Sequence, residues 1–185
     1  MDFDFSPTRI APHRDSARVL LVEPERSAMS VMARRLNEAG YRVVAAESAD
    51  KGVAELHRQR IDLVLTELAM PVMSGIELTR LIRDDSGFRD IPVILITGRS
   101  DATGAIRAFE AGADDVVAKP FHHEVLLARI IRQLARAKAV RELRADNATL
   151  DGRVVTRAIA LSEMRFALEE SESERRRLSD LVGRA

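Results

Sequence analysis

Four chemistry-bearing positions stand at the ends of short apolar runs. Residues 62–75 read Asp-Leu-Val-Leu-Thr-Glu-Leu-Ala-Met-Pro-Val-Met-Ser-Gly, so the apolar run 63–65 leads to Glu67, a Met-Pro turn and a Gly. Residues 18–23 form a second run that ends in Glu23 and is followed by Pro24 and Glu25. Residues 91–97 end in Thr97 ahead of Gly98, and residues 115–118 run into Lys119-Pro120. Short apolar runs bounded by turn signals read as buried parallel strands. In an open α/β sheet, ligands bind at the carboxyl ends of such strands. Two or three carboxylates, a hydroxyl and a lysine converging on one crevice are able to hold a cation or to pair with one another. The plain alternative for Glu67 is a strand-end carboxylate facing water. Each position is a weak signal alone and the set is a specific one.

The elements that must position these residues alternate. Strands are predicted at 18–23, 42–46, 62–67, 91–97 and 115–118. Helical spacing fills 27–39, with Ser27 as N-cap, then 49–60, 74–83 and 101–111, and a long helix starts near residue 121. Gly40 and Gly112 stop the first and fourth helices. Pro92 falls near a strand start, where a missing donor is tolerable. This alternation implies parallel strands, right-handed crossovers and helices on both faces. The expected fold class is α/β, a five-stranded doubly wound parallel sheet of flavodoxin-like type followed by a long helical coiled coil. Three segments follow: a flexible tail at 1–17, an α/β domain at 18–136 and a helical extension at 137–185.

Composition narrows the chemistry. The chain of 185 residues has 46% hydrophobic residues, enough for a sizeable core. Lys plus Arg and Asp plus Glu both number 29, so there is no global pull toward nucleic acid or an anionic membrane. The chain has no Cys, which excludes disulfides, thiolate zinc sites and a Cys nucleophile. Aromatics are 4% with no Trp, which argues against stacking platforms for single-stranded nucleic acid. Residues 1–17 lack the apolar core of a secretory signal, and no run is long enough to cross a membrane, so a cytoplasmic protein is expected. No nucleophile elbow, P-loop or Gly-rich dinucleotide motif is present, so a self-contained enzyme is not expected.

Residues 18–134 resemble the receiver domains of two-component response regulators. The resemblance rests on Leu-Leu-Val-Glu-Pro-Glu at 20–25, on 62–75, on Ile-Leu-Ile-Thr-Gly at 94–98, and on Gly-Ala-Asp-Asp-Val-Val-Ala-Lys-Pro-Phe at 112–121. It implies a domain that takes a phosphoryl group from a histidine kinase onto an aspartate at the end of the third strand. It also implies two acids holding Mg²⁺ after the first strand, with Thr97 and Lys119 as the phosphoryl contacts.

The departures from that pattern carry the functional expectation. Glu67 stands at the acceptor position instead of Asp, and Glu23-Pro24 replaces the acid pair. Val116 stands where the family's switching aromatic is expected. The extra methylene of Glu67 moves its oxygens by about one C–C bond, roughly 1.5 Å. In-line phosphoryl transfer tolerates little misplacement, and about 1 Å can cost on the order of 10²-fold in rate. Mg²⁺ demands near-octahedral geometry, and Pro24 supplies no side-chain oxygen. No metal or other cofactor is therefore expected. Glu23, Glu25 or Glu67 would have to hold Mg²⁺ if it bound. Three arrangements stay open. Glu67 reaches Lys119 and Thr97 and imitates the phosphorylated form, or it merely pairs with Lys119, or it accepts phosphate weakly. Pairing with Lys119 favours the ionised carboxylate, and desolvation opposes it. His122 and His123 read as a surface pair at a helix start, and His13 and His57 lie in unrelated segments. Thr66 and Ser74 read as turn and cap residues.

The last third carries a second pattern. Val125, Leu126, Leu127, Ile130, Ile131 and Leu134 form the stripe that closes the domain. Beyond it a heptad register runs through Val140, Leu143, Asn147, Leu150, Val154, Arg157, Leu161, Met164, Leu168, Ser171, Arg175, Leu178 and Val182. Nine of these thirteen are apolar, Asn147 in the seam is a known way to fix register and dimer state, and Arg157, Ser171 and Arg175 weaken the seam. A helix of that length spans roughly 65 Å and must pair or fold back to bury its stripe. A parallel homodimer is the expectation, with Val140, Leu143, Asn147, Leu150, Val154, Leu161, Met164 and Leu168 at its interface. The basic stretch from Arg129 to Arg144 reads as a solvated face, so nucleic acid is not an expected partner. The acidic run 169–174 before Arg175, Arg176 and Arg177 reads as charge pairing along or between helices. Residues 145–161 resemble linkers that join receivers to output domains. The expected partners are a second copy and a signalling protein such as a histidine kinase or a downstream regulator. The alternative is the input part of a larger regulator.

Overall fold

The structure is a computed structural model and describes residues 17–98 and 101–182. The expectation of a flexible tail at 1–17 falls almost wholly outside those residues. The elements are β1 (Arg18–Val22), α1 (Arg26–Glu38), β2 (Arg42–Ala46), α2 (Ala49–Arg58), β3 (Leu63–Glu67), α3 (Gly75–Asp84), β4 (Val93–Thr97), α4 (Ala102–Glu110), β5 (Asp115–Ala118) and α5 (His123–Val182). All strand pairs are parallel, and the order across the sheet is β2-β1-β3-β4-β5. The doubly wound sheet is the one the alternation implies.

Successive side chains on a strand face opposite sides, and the core divides accordingly. Leu20, Val22, Val64, Val93 and Leu95 pack on one face with Leu56 of α2, Leu78 and Ile82 of α3 and Ala108 of α4. Val19, Leu21, Leu63, Leu65, Ile94 and Ile96 pack on the other with Met32 and Leu36 of α1 and Leu126 and Ile130 of α5. β3 and β4 are buried along their whole length, as doubly covered strands must be. Of the closing stripe, Leu126 and Ile130 are buried, Leu127 and Leu134 are partly buried, and Val125 faces solvent. Gln133 joins them, its amide donating to the Asp114 carbonyl at 3.1 Å.

Several local expectations are corrected. The first helix is capped at Glu25 and not at Ser27, which lies in its first turn. Glu23 Oε1 accepts the Glu25 N–H at 3.0 Å, and the Glu25 carbonyl accepts from Met29, so the helical ladder starts two residues early. Asp101 is the N-cap of α4 and not its first turn, its Oδ1 accepting from the Gly104 N–H at 2.7 Å. Thr66 is not a turn residue but a fully buried position in β3. Ser74 does cap α3, in a reciprocal box with Glu77. Gly40 and Gly112 end α1 and α4 with φ of 91° and 95°, a left-handed backbone that suits glycine.

The chain divides into two compact units between Lys138 and Ala139. The second unit is helical through residue 182 with no intervening turn, so the folded-back alternative does not occur there. The side chains of Leu150 and Val154 lie outside the described residues. Among the described residues no helix is long and apolar enough to cross a membrane.

Candidate functional site

β1, β3 and β4 end side by side, with Thr66 level with Val22 and Glu67 level with Ile96. Glu67 is the last residue of β3 and is 8% exposed. Glu23, one residue past β1, is 3% exposed. Thr97 closes β4 and is buried, with its carbonyl accepting the Lys119 N–H at 2.8 Å. That bond ties the segment after β5 to the end of β4. The Lys119-Pro120 peptide is cis.

The Lys119 ammonium reaches across this mouth. Its Nζ donates to Glu67 Oε2 at 2.5 Å and lies 3.5 Å from Glu23 Oε2. Glu23 Oε2 is buried and makes no hydrogen bond, so this ion pair is its compensation. Glu23 Oε1 is held by the Glu25 N–H, while Glu25 is exposed and its side chain makes no cap bond. Burial pushes the Glu67 carboxyl above its ordinary pKa, Lys119 pulls it back, and the Glu23 charge adds to the rise. Burial also works against the Lys119 ammonium. The hydrogen bond and charge of Glu67, with the charge of Glu23, nonetheless hold its pKa above the ordinary lysine value.

Thr97 points elsewhere. Its hydroxyl donates to Asp101 Oδ2 at 3.3 Å, so it is joined to the N-cap of α4 and not to Glu67. The arrangement in which Glu67 reaches both Lys119 and Thr97 is therefore not the one adopted, and pairing with Lys119 alone is. Val116 packs, partly buried, against the core beside α4. His122 and His123 flank the start of α5, where His123 stacks edge-on with Phe121 at 6.1 Å. His57 packs edge-on against Phe88 at 4.8 Å, away from this mouth.

The turn after β3 is shaped by two residues. A Cβ on Gly75 would overlap the Glu67 carbonyl oxygen, so only glycine lets α3 start this close to the strand end. The Gly75 N–H donates to the Leu68 carbonyl at 2.9 Å. Val72 has φ of 67° and is 98% exposed, a left-handed conformation that a β-branched residue rarely takes.

Both buried carboxylates face an ammonium that already supplies the compensating charge, and Pro24 brings no oxygen. Among the described residues no group of three or more His, Asp or Glu side chains is arranged to hold a metal ion.

Sequence reasoning missed two features. Asp101 as the partner of Thr97 was signalled by its cap-forming type three residues before Gly104. The other is Arg83 of α3, which carried no sequence signal. It donates to the carbonyls of Gly112, Arg89 and Ile91 and to Asp114, and so ties the loop that precedes β4 to the loop that precedes β5.

Known proteins resemble this chain in sequence and in fold. The family model for the response regulator receiver domain matches residues 19–131. The phosphate regulon transcriptional regulatory protein PhoB of Escherichia coli (strain K12) is 36% identical over 113 residues, 61% of this chain and 49% of that protein. The DNA-binding response regulator MtrA of Mycolicibacterium smegmatis is 32% identical over 119 residues, 64% of this chain and 51% of that protein. The chain thus spans about half the length of the curated relatives it matches. The crystal structure of the signal receiver domain of a histidine kinase from Syntrophus aciditrophicus superposes with a TM-score of 0.62. It is 32% identical and covers 65% of this chain and 91% of that one. The five-stranded parallel sheet agrees with the sequence match over one continuous segment, and the chain belongs to the response regulator receiver domain family.

Proposed function

We propose that this chain is a pseudo-receiver: a two-component signalling module that acts by protein contact without accepting phosphate. One observation carries the reading. The Glu67 carboxylate, standing where the family's acceptor would be, is held at 2.5 Å by the Lys119 ammonium. The oxygen that would attack phosphorus is engaged, and the cation that would receive a phosphoryl oxygen is already neutralised. The longer side chain and Pro24 in place of a second acid act in the same direction. In this reading the chain is not an enzyme, holds no resident metal, and works in the cytoplasm. Its partner is a histidine kinase or a downstream regulator, and it dimerises through the heptad seam of α5.

The test is phosphorylation competence. The full chain is incubated with a small-molecule phosphodonor and Mg²⁺, and its intact mass is measured. An unchanged mass is expected. A labile phosphate that disappears in Glu67→Ala would overturn the reading.

A second reading is favoured by the relatives, whose names call them transcriptional or DNA-binding regulators and of which this chain spans about half. There the chain is the input part of a DNA-binding regulator. Whether the natural reading frame continues past residue 185 into a DNA-binding segment separates the two readings: a continuing frame supports the second, and a stop there supports the first.

A further inference from the structure

Val140, Leu143, Leu161, Met164 and Leu168 of the second unit are all exposed in the single chain, the last four by 61–68%. A stripe of this kind leaves water only against another helix. The helix has no turn through residue 182, so it does not cover its own stripe. The polar members of the same seam say how the covering helix is oriented.

In a parallel, in-register pair each seam layer sets a residue against its own copy. That would place Arg157 against Arg157 and Arg175 against Arg175, two like-charge layers inside an apolar seam. In an antiparallel pair each layer joins two different residues. With the two-fold axis at residue 159, Asn147 lies opposite Ser171, because the two are equally far from the axis. The same operation sets Arg157 opposite Leu161 and Arg175 opposite Leu143. An amide then meets a hydroxyl able to complement it. Each arginine has a leucine beside its aliphatic stem and solvent for its head.

From this placement we infer that the α5 extension pairs with a second copy of the chain in antiparallel orientation, centred near Ile159, and not in the parallel register that the bare heptad suggests. The inference rests on the coil-borne dimer proposed above and adds its direction. It also makes the seam selective. Parallel partners, which unite like residues, are disfavoured by the two arginine layers.

The chain has no cysteine, so a single introduced thiol carries a spin label without ambiguity. Ala145→Cys and Ser173→Cys lie outside the seam on exposed positions. Solution mass is measured first on the labelled full chain, and then the interspin distance. A dimer with about 42 Å between the two labels at 145 is expected, from 28 residues of axial offset at about 1.5 Å each. Mixing the two labelled chains is expected to give about 20 Å, roughly the breadth of two packed helices. A dimer with about 20 Å between identical labels would overturn the orientation and leave the proposed dimer standing. A monomer at tens of micromolar would overturn both.

Discussion

Lys119 Nζ and Glu67 Oε2 lie 2.5 Å apart, although 52 residues separate them in sequence. Glu23 shares the same ammonium at 3.5 Å. One partly exposed cation thus serves two carboxylates that are 10% and 4% exposed. Removing water from charge is costly unless an opposite charge replaces it, so the mouth of the sheet holds together only while Lys119 is in place.

Lys119→Met is therefore expected to destabilise the domain by about 2–3 kcal/mol at pH 8. This is at or below the low end of the roughly 3–5 kcal/mol seen when one partner of a buried pair is removed, because Lys119 is 40% exposed. The loss should shrink as pH falls. Glu67 already has a raised pKa, and without Lys119 it rises further. A group whose folded pKa is raised contributes stability that is full below its unfolded value, here 4.5, and lost as pH rises through the folded value. The variant thus regains stability toward pH 5. Lys119 in the wild type obeys the same sign: its contribution is full below 10.5 and lost above, where the two proteins converge. Urea unfolding of both proteins from pH 5 to 11 checks this, and a gap independent of pH would count against it.

Gly75→Ala is expected to be among the most damaging small substitutions. The added methyl would overlap the Glu67 backbone oxygen and lie 3.2 Å from the Leu68 Cα, and a strand backbone cannot yield as a flexible side chain can. Overpacking of this kind costs about 3 kcal/mol. The measurement is the urea midpoint, together with loss of soluble protein at 37 °C.

Val72→Gly is expected to stabilise. A left-handed L-residue costs roughly 1–2 kcal/mol, and glycine gives back about 0.5–1 kcal/mol through the entropy of its unfolded chain. The net gain is about 0.5–1 kcal/mol, and at 98% exposure Val72 surrenders no packing. A higher melting temperature is the readout. An unchanged or lower one would show that Val72 is not strained.

The reach of sequence reading follows from these particulars. β3 and β4 were legible because a short, unbroken apolar run between turn signals needs cover on both faces, and strand-end reasoning brought Glu23, Glu67, Thr97 and Lys119 to one mouth. The direction of the Thr97 hydroxyl was not legible, since a rotamer chooses between Asp101 and Glu67 after the backbone is set. The cap at Glu25 was hidden because Ser27 is the better capping residue by type. What moved the helix start was the long-range geometry that puts Glu23 Oε1 under the Glu25 amide. Val72 was invisible for the opposite reason: no local rule places a β-branched residue where φ is positive.

Arg83 was the least legible residue and supports the last prediction. On α3 it looks like one more surface arginine, yet its guanidinium makes four bonds. Nε donates to the Gly112 carbonyl at 2.8 Å, Nη1 to those of Arg89 and Ile91 at 2.9 Å each, and Nη2 to Asp114 Oδ2 at 2.7 Å. Asp114 Oδ2 also accepts the Val93 N–H at 2.9 Å, which fixes the start of β4. Only a planar fork presents donors in that many directions, so Arg83→Lys should not substitute for it. Arg83→Met is expected to cost about 2–4 kcal/mol, taking about 1.5–3 kcal/mol for a charged hydrogen bond to Asp114 and less for each carbonyl left to water. Asp114→Asn keeps an acceptor for Val93 and should cost about 1–2 kcal/mol. If the two residues act as one unit, the double variant costs less than the sum of the single ones. Urea unfolding of the four-protein cycle measures that coupling, and strict additivity would show that Arg83 holds the two loops independently of Asp114.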